Sequence, residues 1–175
     1  MSYLSPRPLA STDVLDGFDS ASSAQNEWLV RFARSAHASG SAKVFVVVLR
    51  DAPDRVVAFY GWSMASVSVG DLPERMRRGA GRYPQPAALL ARLAVHRDHE
   101  GRGLGAALLK DVIVRFVAIS DEIGCRVLLI HCETEAARNF YLHLVPEFER
   151  SPTDDLHLLI LLKDARRTVE STHAG

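Results

Sequence analysis

The stretch from Leu89 to Ile113 constrains the fold of this chain more than any other. An apolar run suited to a strand, Leu89-Leu90-Ala91-Arg92-Leu93-Ala94-Val95, leads through a charged turn into Glu100-Gly101-Arg102-Gly103-Leu104-Gly105-Ala106. A helical pattern, Leu108-Leu109-Lys110-Asp111-Val112-Ile113, follows at once. Strand, glycine-rich turn and helix together can hold phosphate. Glycines let the backbone approach an anion, and the unpaired N–H groups of a first helical turn point at it. The same residues also make a tight turn with no ligand, so the glycines by themselves leave both readings open. Two phosphate loops are excluded. A P-loop ends in Gly-Lys-Ser/Thr, whereas Gly105 is followed by Ala106-Ala107, which supply neither lysine nor a magnesium-binding hydroxyl. A dinucleotide fingerprint, Gly-x-Gly-x-x-Gly, needs glycine where Leu108 stands and comes early in a chain, not past its middle.

Other elements surround this unit. Residues 1–20, rich in Ser, Pro and Asp, are expected to form a strand or loop with a loosely held start. Over 23–39, Trp28, Leu29, Phe32, Ala33 and Ala36 recur at helical spacing, and Gly40 is a stop signal. Residues 43–49 are β-branched and apolar. Asp51-Ala52-Pro53-Asp54 turns the chain into a second strand over 55–67, giving an antiparallel half-sheet. Residues 70–83 are a polar, glycine- and arginine-rich connection, longer than a structural turn requires. The helix after the glycines is expected over 103–123, with Leu104, Leu108, Val112, Phe116 and Ile119 on one face and Gly124 as its end. A strand over 126–132 follows. Glu133-Thr134-Glu135 then opens a helix that carries Ala136, Ala137, Phe140, Tyr141 and Leu144 and ends by Pro146. Residues 156–162 form a last strand, and the tail, 165–175, is expected to be disordered. With no repeat and no long linker, residues 1–175 read as a single domain.

At 175 residues, 47% of them hydrophobic, the chain is long enough to bury a core and reads as soluble and globular. No apolar stretch approaches the roughly 20 residues of a membrane span. Met1-Ser2-Tyr3-Leu4-Ser5-Pro6 lacks the basic and then apolar pattern of a leader, so a cytoplasmic location without a membrane partner is expected. Cys125 and Cys132, seven apart and without Cys-x-x-Cys spacing, read as reduced thiols in or near the core. Basic and acidic residues number 21 each, a poor overall balance for gripping nucleic acid, where phosphate contacts dominate affinity. The local distribution differs. Residues 74–82 set Arg75, Arg77, Arg78 and Arg82 against the single acid Glu74. Such a run is either a solvated loop or a patch for an RNA acceptor stem.

From about residue 43 to 163 the sequence resembles the GNAT superfamily of N-acetyltransferases. The phosphate loop of that family reads Gln/Arg-x-x-Gly-x-Gly/Ala, matched here by Glu100-Gly101-Arg102-Gly103-Leu104-Gly105 with glutamate in the first position. Four segments narrow the resemblance: Tyr83-Pro84-Gln85-Pro86; Ala91-Arg92-Leu93-Ala94-Val95; Ala137-Arg138-Asn139-Phe140-Tyr141; and Phe148-Glu149-Arg150-Ser151-Pro152-Thr153-Asp154. They look like the branch of tRNA-acetylating toxins found in type II toxin–antitoxin systems. The resemblance implies the α/β (α+β) GNAT fold, a mixed central sheet with a splayed strand pair and flanking helices. It implies acetyl-CoA as co-substrate without a metal, and aminoacyl-tRNA as acceptor, acetylated on its α-amine so that translation is blocked. It also implies a ribbon-helix-helix antitoxin and a homodimer. The strands around Val95 and Ile130 would splay, and the pantetheine amides would complete the ladder at Leu93 and Val95. The pyrophosphate would lie along Glu100, Gly101, Arg102, Gly103, Leu104, Gly105 and Ala106, held chiefly by backbone N–H groups. Thr134 stands where many members carry a cofactor-side asparagine.

The same resemblance assigns Tyr141 as the acid. When an amine attacks the thioester, coenzyme A leaves as a thiolate, and a phenol of pKa about 10 can protonate it. The oxyanion would be held by a backbone N–H near Val95. Read without the family, a tyrosine spaced with Ala137 and Leu144 equally suits packing. No obvious general base appears, which favours an α-amine of pKa about 7.7–8.0 over a lysine amine of about 10.4. His96, His99, His131 and His143 are structural or exposed histidines, or else proton acceptors, and they lack zinc-site spacing. Arg92 leaves the strand on the face of Ala94, either toward substrate or toward an acid such as Glu133. Two departures from the family stand out. A Glu100 carboxylate suits a pyrophosphate site only if it points into solvent. The usual Phe-Tyr-x-x-x-Gly-Phe is replaced by a loop two residues longer, without glycine, ending at Phe148. An acetyltransferase of a small amine or a protein, and a non-catalytic acetyl-CoA-binding module, are the alternatives.

Overall fold

Residues 1–20 are pinned, not loose. In the computed structural model, which describes residues 1–174, Arg7–Pro8 (β1) pairs antiparallel with Val46 and Phe45. The Leu4 and Leu9 N–H groups donate to Val48 and Val44, and Leu9, Leu15 and Phe18 are buried. The apolar residues scattered among the Ser, Pro and Asp of this segment therefore do core work that periodicity does not reveal.

The expected single helix over 23–39 is two. Ser23–Arg31 (α1) is capped by the Ser22 side chain, which accepts from the Gln25 N–H. Ala33–Ser39 (α2) ends at Gly40, whose φ of 81° is the left-handed stop the sequence signals. The break at Phe32 (φ −119°) involves neither Gly nor Pro, so no residue announces it. Lys43–Leu49 (β2) pairs antiparallel with Ala52–Val67 (β3), with irregularities around Val48. Val44 through Val48 are buried, as in a strand covered on both faces.

The 70–83 connection contains a 3₁₀ turn, Val69–Asp71, and a short helix, Glu74–Arg77 (α3). Gln85–Val95 (β4) follows, then Leu104–Ile119 (α4), Val127–His131 (β5), Glu135–Leu144 (α5), Glu149–Arg150 (β6) and His157–Leu161 (β7). The helix α4 stops short of Gly124, which has no positive φ. Leu162–His173 (α6) corrects the expectation of a disordered tail, apart from Gly175, which lies outside the described residues. The helix α6 is held because Ala165 and Asp164 are buried, with Asp164 paired to Arg75 (2.6 Å) and Arg167. The strand order is β1-β2-β3-β4-β5-β7-β6, with β4 and β5 parallel and β7 antiparallel to both β5 and β6.

The chain forms two compact units, Met1–Ser63 with Ala91–Asp111, and Met64–Leu90 with the chain from Val112 onward. The core of the first packs Leu9, Leu15, Phe18, Leu29, Val44, Val46, Val48, Val56 and Phe59. The core of the second packs Val67, Leu72, Met76, Val127, Leu129, Leu159 and Leu161. Among the described residues no helix is long and apolar enough to cross a membrane.

Among the described residues, each unit buries one aspartate. Asp13 is 2% exposed and receives Arg7 through two bonds of 2.7 and 2.9 Å. Burial pushes its carboxyl up, and the hydrogen bonds from Arg7 and the Ala10 N–H more than offset this, so the net shift is downward. Asp164 behaves alike, its burial outweighed by Arg75 and Arg167. A lowered folded value means stability fully present above the ordinary carboxylate range and lost as pH falls through the folded values. Urea midpoints are therefore expected to fall steeply below about pH 4. Arg7→Ala should cost about 1–3 kcal/mol at pH 7, a deficit that shrinks at pH 3.

Candidate active site

In the first unit the site begins at the end of β4. The parallel ladder of β4 with β5 covers Ala87–Leu90 against Val127–Ile130, and β4 runs on to Val95. Ala94 is buried, while Leu93 and Val95 are half-buried. The following turn is tied to β3 and to the N-terminal segment. The His96 N–H donates to the Val57 carbonyl (2.8 Å), and Arg97 binds Asp19 through both its N–H and its guanidinium (2.9 Å each). His99 is buried, and its Nδ1 lies 2.9 Å from the Tyr3 hydroxyl. Burial, with help from His96 and Arg102, pushes the His99 imidazole below its ordinary range. His99 is thus a structural peg, and sequence spacing hides the roles of Tyr3 and Asp19 altogether.

Gly101 and Gly103 have φ of 72° and 82°, a region in which other residues are strained. The Ala107 N–H donates to the Gly103 carbonyl (3.0 Å), the first bond of α4. The N–H groups of Gly103, Leu104, Gly105 and Ala106 therefore have no acceptor within the helix, and the helix dipole adds to their positive end. Glu100, Gly101, Arg102 and Gly103 are exposed, so the Glu100 side chain is in solvent. Leu104 is buried and anchors the helix start. Gly105 and Ala106 are half-buried. Backbone donors backed by a dipole suit a pyrophosphate.

Arg92 takes a partner that neither sequence reading named. Its guanidinium lies over the Trp28 ring, 5.3 Å from the centroid. Gly61 makes this possible, because a Cβ there would stand 3.0 Å from the Trp28 ring and 3.5 Å from Arg92 Cβ. A pocket of about 230 Å³ opens beside them, lined also by Trp62 and Ala91.

In the second unit Thr134 caps α5, its Oγ1 accepting from the Ala137 N–H (3.1 Å). Cofactor-side asparagine in the family and threonine here share this capping ability. Tyr141 is 6% exposed, and its hydroxyl has no hydrogen-bond partner among the described residues. Burial, aided by neighbouring Cys132, pushes the phenol well above its ordinary range, so it stays protonated. Burial likewise pushes the Cys132 thiol up to about 11. The longer loop after Tyr141 is absorbed in a turn where Val145 and Phe148 are buried and the Val145 N–H donates to the Tyr141 carbonyl (2.9 Å).

The arginine run divides. Arg75 is occupied by Glu149 (2.8 Å) and Asp164 (2.6 Å), and Arg77 donates to the Leu72 carbonyl (3.0 Å). Both act as structural ties. Arg82 and Arg78 are exposed. Arg78 lines a concavity of about 470 Å³ with Arg75, Arg126, Lys163 and Arg166 over Leu161 and Leu162. The last three cations come from distant parts of the sequence, so no local run shows them. His131 and His157 stack face to face, centroids 3.9 Å apart. Among the described residues no group of three or more His, Cys, Asp or Glu could hold a metal ion.

Residues 40–144 match the acetyltransferase (GNAT) domain family. The chain is 42% identical over 167 residues to the tRNA-acetylating toxin of Mycobacterium tuberculosis (strain ATCC 25618 / H37Rv), spanning 95% of this chain and 97% of that one. A tyrosine-to-phenylalanine mutant of KacT shares the fold, with a TM-score of 0.88 at 22% identity over 96% of this chain and 99% of that one. So does AtaT complexed with acetyl-methionyl-tRNAfMet, with a TM-score of 0.86 at 20% identity over 95% and 99%. A tyrosine-to-phenylalanine mutant of the toxin AtaT, bound to the C-terminus of the antitoxin AtaR and acetyl-CoA, gives 0.78 at 20% identity over 97% and 99%.

Proposed function

The chain belongs to the GNAT acetyltransferase family and is an N-acetyltransferase, and from that premise we propose that it moves the acetyl group of acetyl-CoA to the α-amine of aminoacyl-tRNA. In this reading it is a toxin that blocks translation. The observation that carries the reading is the 42% identity to a tRNA-acetylating toxin across 95% of the chain. The structures of AtaT with acetyl-methionyl-tRNAfMet and with acetyl-CoA support the same pair of substrates.

The roles follow from the chemistry of each half. Backbone N–H groups from Arg102 to Ala106 hold the pyrophosphate, with Glu100, Gly101 and Leu104 shaping the turn. Leu93 and Val95 offer backbone to the pantetheine amides, and Thr134 caps the neighbouring helix. The amine nitrogen forms a bond to the acetyl carbon, the C–S bond breaks, and Tyr141 gives its proton to the departing sulfur. Residues 1–175 are read as a single catalytic domain that acts in the cytoplasm as a homodimer. A ribbon-helix-helix antitoxin is its partner, in keeping with AtaT bound to AtaR.

Labelled acetyl-CoA, charged tRNA and the protein should yield RNA carrying label in an ester-linked N-acetyl amino acid. Label transferred only to free amines or proteins, or to nothing, would sink the reading. The concavity around Arg78 supplies the RNA contact. Its Arg78, Arg126 and Lys163 side chains have no carboxylate partner among the described residues, so phosphates can neutralise them. Arg78→Ala with Lys163→Ala should raise KM for charged tRNA about 10-fold and flatten its dependence on salt by about two phosphate contacts. Affinity for acetyl-CoA should not change.

A further inference from the structure

We propose, resting on the reading of residues 100–106 as the pyrophosphate turn, that Tyr3 is a positioning residue for acetyl-CoA, acting through His99 to hold that turn in its binding shape. The Tyr3 hydroxyl lies 2.9 Å from His99 Nδ1, a contact between residues 96 positions apart. Among the described residues it is the one hydrogen-bond partner of the His99 ring. The two rings also meet edge to face, with centroids 5.7 Å apart and planes at 79°. Tyr3 is fixed in turn by the end of β2. It bridges Leu49, the Ser2 carbonyl accepts the Arg50 N–H (2.9 Å), and the Leu4 N–H donates to the Val48 carbonyl (2.9 Å). The His99 ring also meets His96 edge to face (5.8 Å), and His96 meets the buried Phe18 in the same way (5.7 Å).

His99 is the last firm hold before the exposed loop. The backbone bonds of His96 to Val57 and of Arg97 to Asp19 fix the chain earlier in the turn. The side-chain pair of Arg97 with Asp19 is more than half exposed at both ends, and such pairs contribute little. At the far side of the loop Leu104, 6% exposed, anchors the start of α4, as His99, 8% exposed, anchors the near side. Between these two run Glu100, Gly101, Arg102 and Gly103, all exposed, with both glycines at a left-handed φ.

A glycine-containing span of this kind has much conformational freedom to lose. If one anchor is released, a bound anion has to order the loop, and that cost is subtracted from its affinity. With both anchors in place the N–H groups from Gly103 to Ala106 already point where the pyrophosphate lies. The first residues of the chain are thereby part of the cofactor site without touching the cofactor. The coupling is mutual by linkage. As much as Tyr3 strengthens acetyl-CoA binding, bound acetyl-CoA strengthens the docking of residues 2–4 on β2.

The test uses the full-length protein, with calorimetry for acetyl-CoA and hydrogen exchange for the N-terminal amides. Tyr3→Phe keeps the ring and removes only the hydroxyl. It should raise Kd for acetyl-CoA about 5-fold with one site per chain retained, and leave kcat at saturating acetyl-CoA unchanged. Tyr3→Ala, which also removes the ring contact, should raise Kd further. In the wild type, acetyl-CoA should slow exchange at the Leu4 and Arg50 N–H groups, and Tyr3→Phe should weaken that protection. A hydroxyl that serves stability alone would lower the thermal midpoint and the fraction of chains that bind. It would leave Kd and the N-terminal protection as in the wild type, and that result would overturn the assignment. A wild-type protein that binds no acetyl-CoA would instead defeat the pyrophosphate reading itself.

Discussion

Tyr141→Phe is expected to lower kcat for acetyl transfer by about 10²–10⁴-fold, the range for losing a positioned proton donor. The change should act on chemistry alone. The hydroxyl has no hydrogen-bond partner among the described residues, and the ring stays buried against Phe140. The thermal midpoint should therefore barely move, and acetyl-CoA should bind as before. Because burial raises the phenol, Tyr141 remains protonated through pH 9, so the wild-type profile should carry no basic limb from this residue. Single-turnover measurement of labelled acetyl transfer separates this chemical loss from any loss of binding. A variant within threefold of wild type would remove Tyr141 from the acid role.

The second large effect is at the phosphate turn. Gly103→Val should weaken acetyl-CoA binding about 10- to 100-fold, measured by calorimetry. Gly103 sits at φ 82°, where a β-branched residue is strained by about 1–3 kcal/mol. The turn must then move, and the N–H groups it aims move with it. No steric clash drives this, since a Cβ at Gly103 would meet nothing within 4 Å. Arg102→Ala, which keeps the backbone, should cost much less. Leu104 makes a poor comparison, because it is buried and a polar replacement there would lower stability by another route.

These two candidates are legible along the chain, Gly103 through a glycine turn whose positive φ the structure shows and Tyr141 through the family resemblance. Glycine at a positive φ and a tyrosine placed by a helix motif are local facts, and local facts survive in sequence order. The strands over 43–49 and 55–67 are legible for the same reason, since β-branched runs and a turn announce themselves. What stays hidden depends on residues distant in sequence. The Tyr3–His99 bond, the Arg92–Trp28 contact and the His131–His157 stack each join segments that no periodicity links. The helix at 162–173 is hidden because its support is Ala165 and one buried carboxylate, Asp164, gripped by Arg75 from a distant segment and by Arg167. The arginine run misleads for a related reason. Its spacing is visible, but whether Arg75 faces RNA or Glu149 is decided by the fold.

Cys125 and Cys132 are both buried, and burial pushes both thiols up, Cys132 to about 11. Only thiolates react with alkylating reagents, so the folded chain is nearly inert to them. Each local opening then writes a permanent chemical record at one of two known positions. Cys132, as the neighbour of Tyr141, makes that record a clock for how often the tyrosine half breathes. Mass spectrometry of timed alkylation can read it in a bacterial lysate, with no engineered probe and no purification.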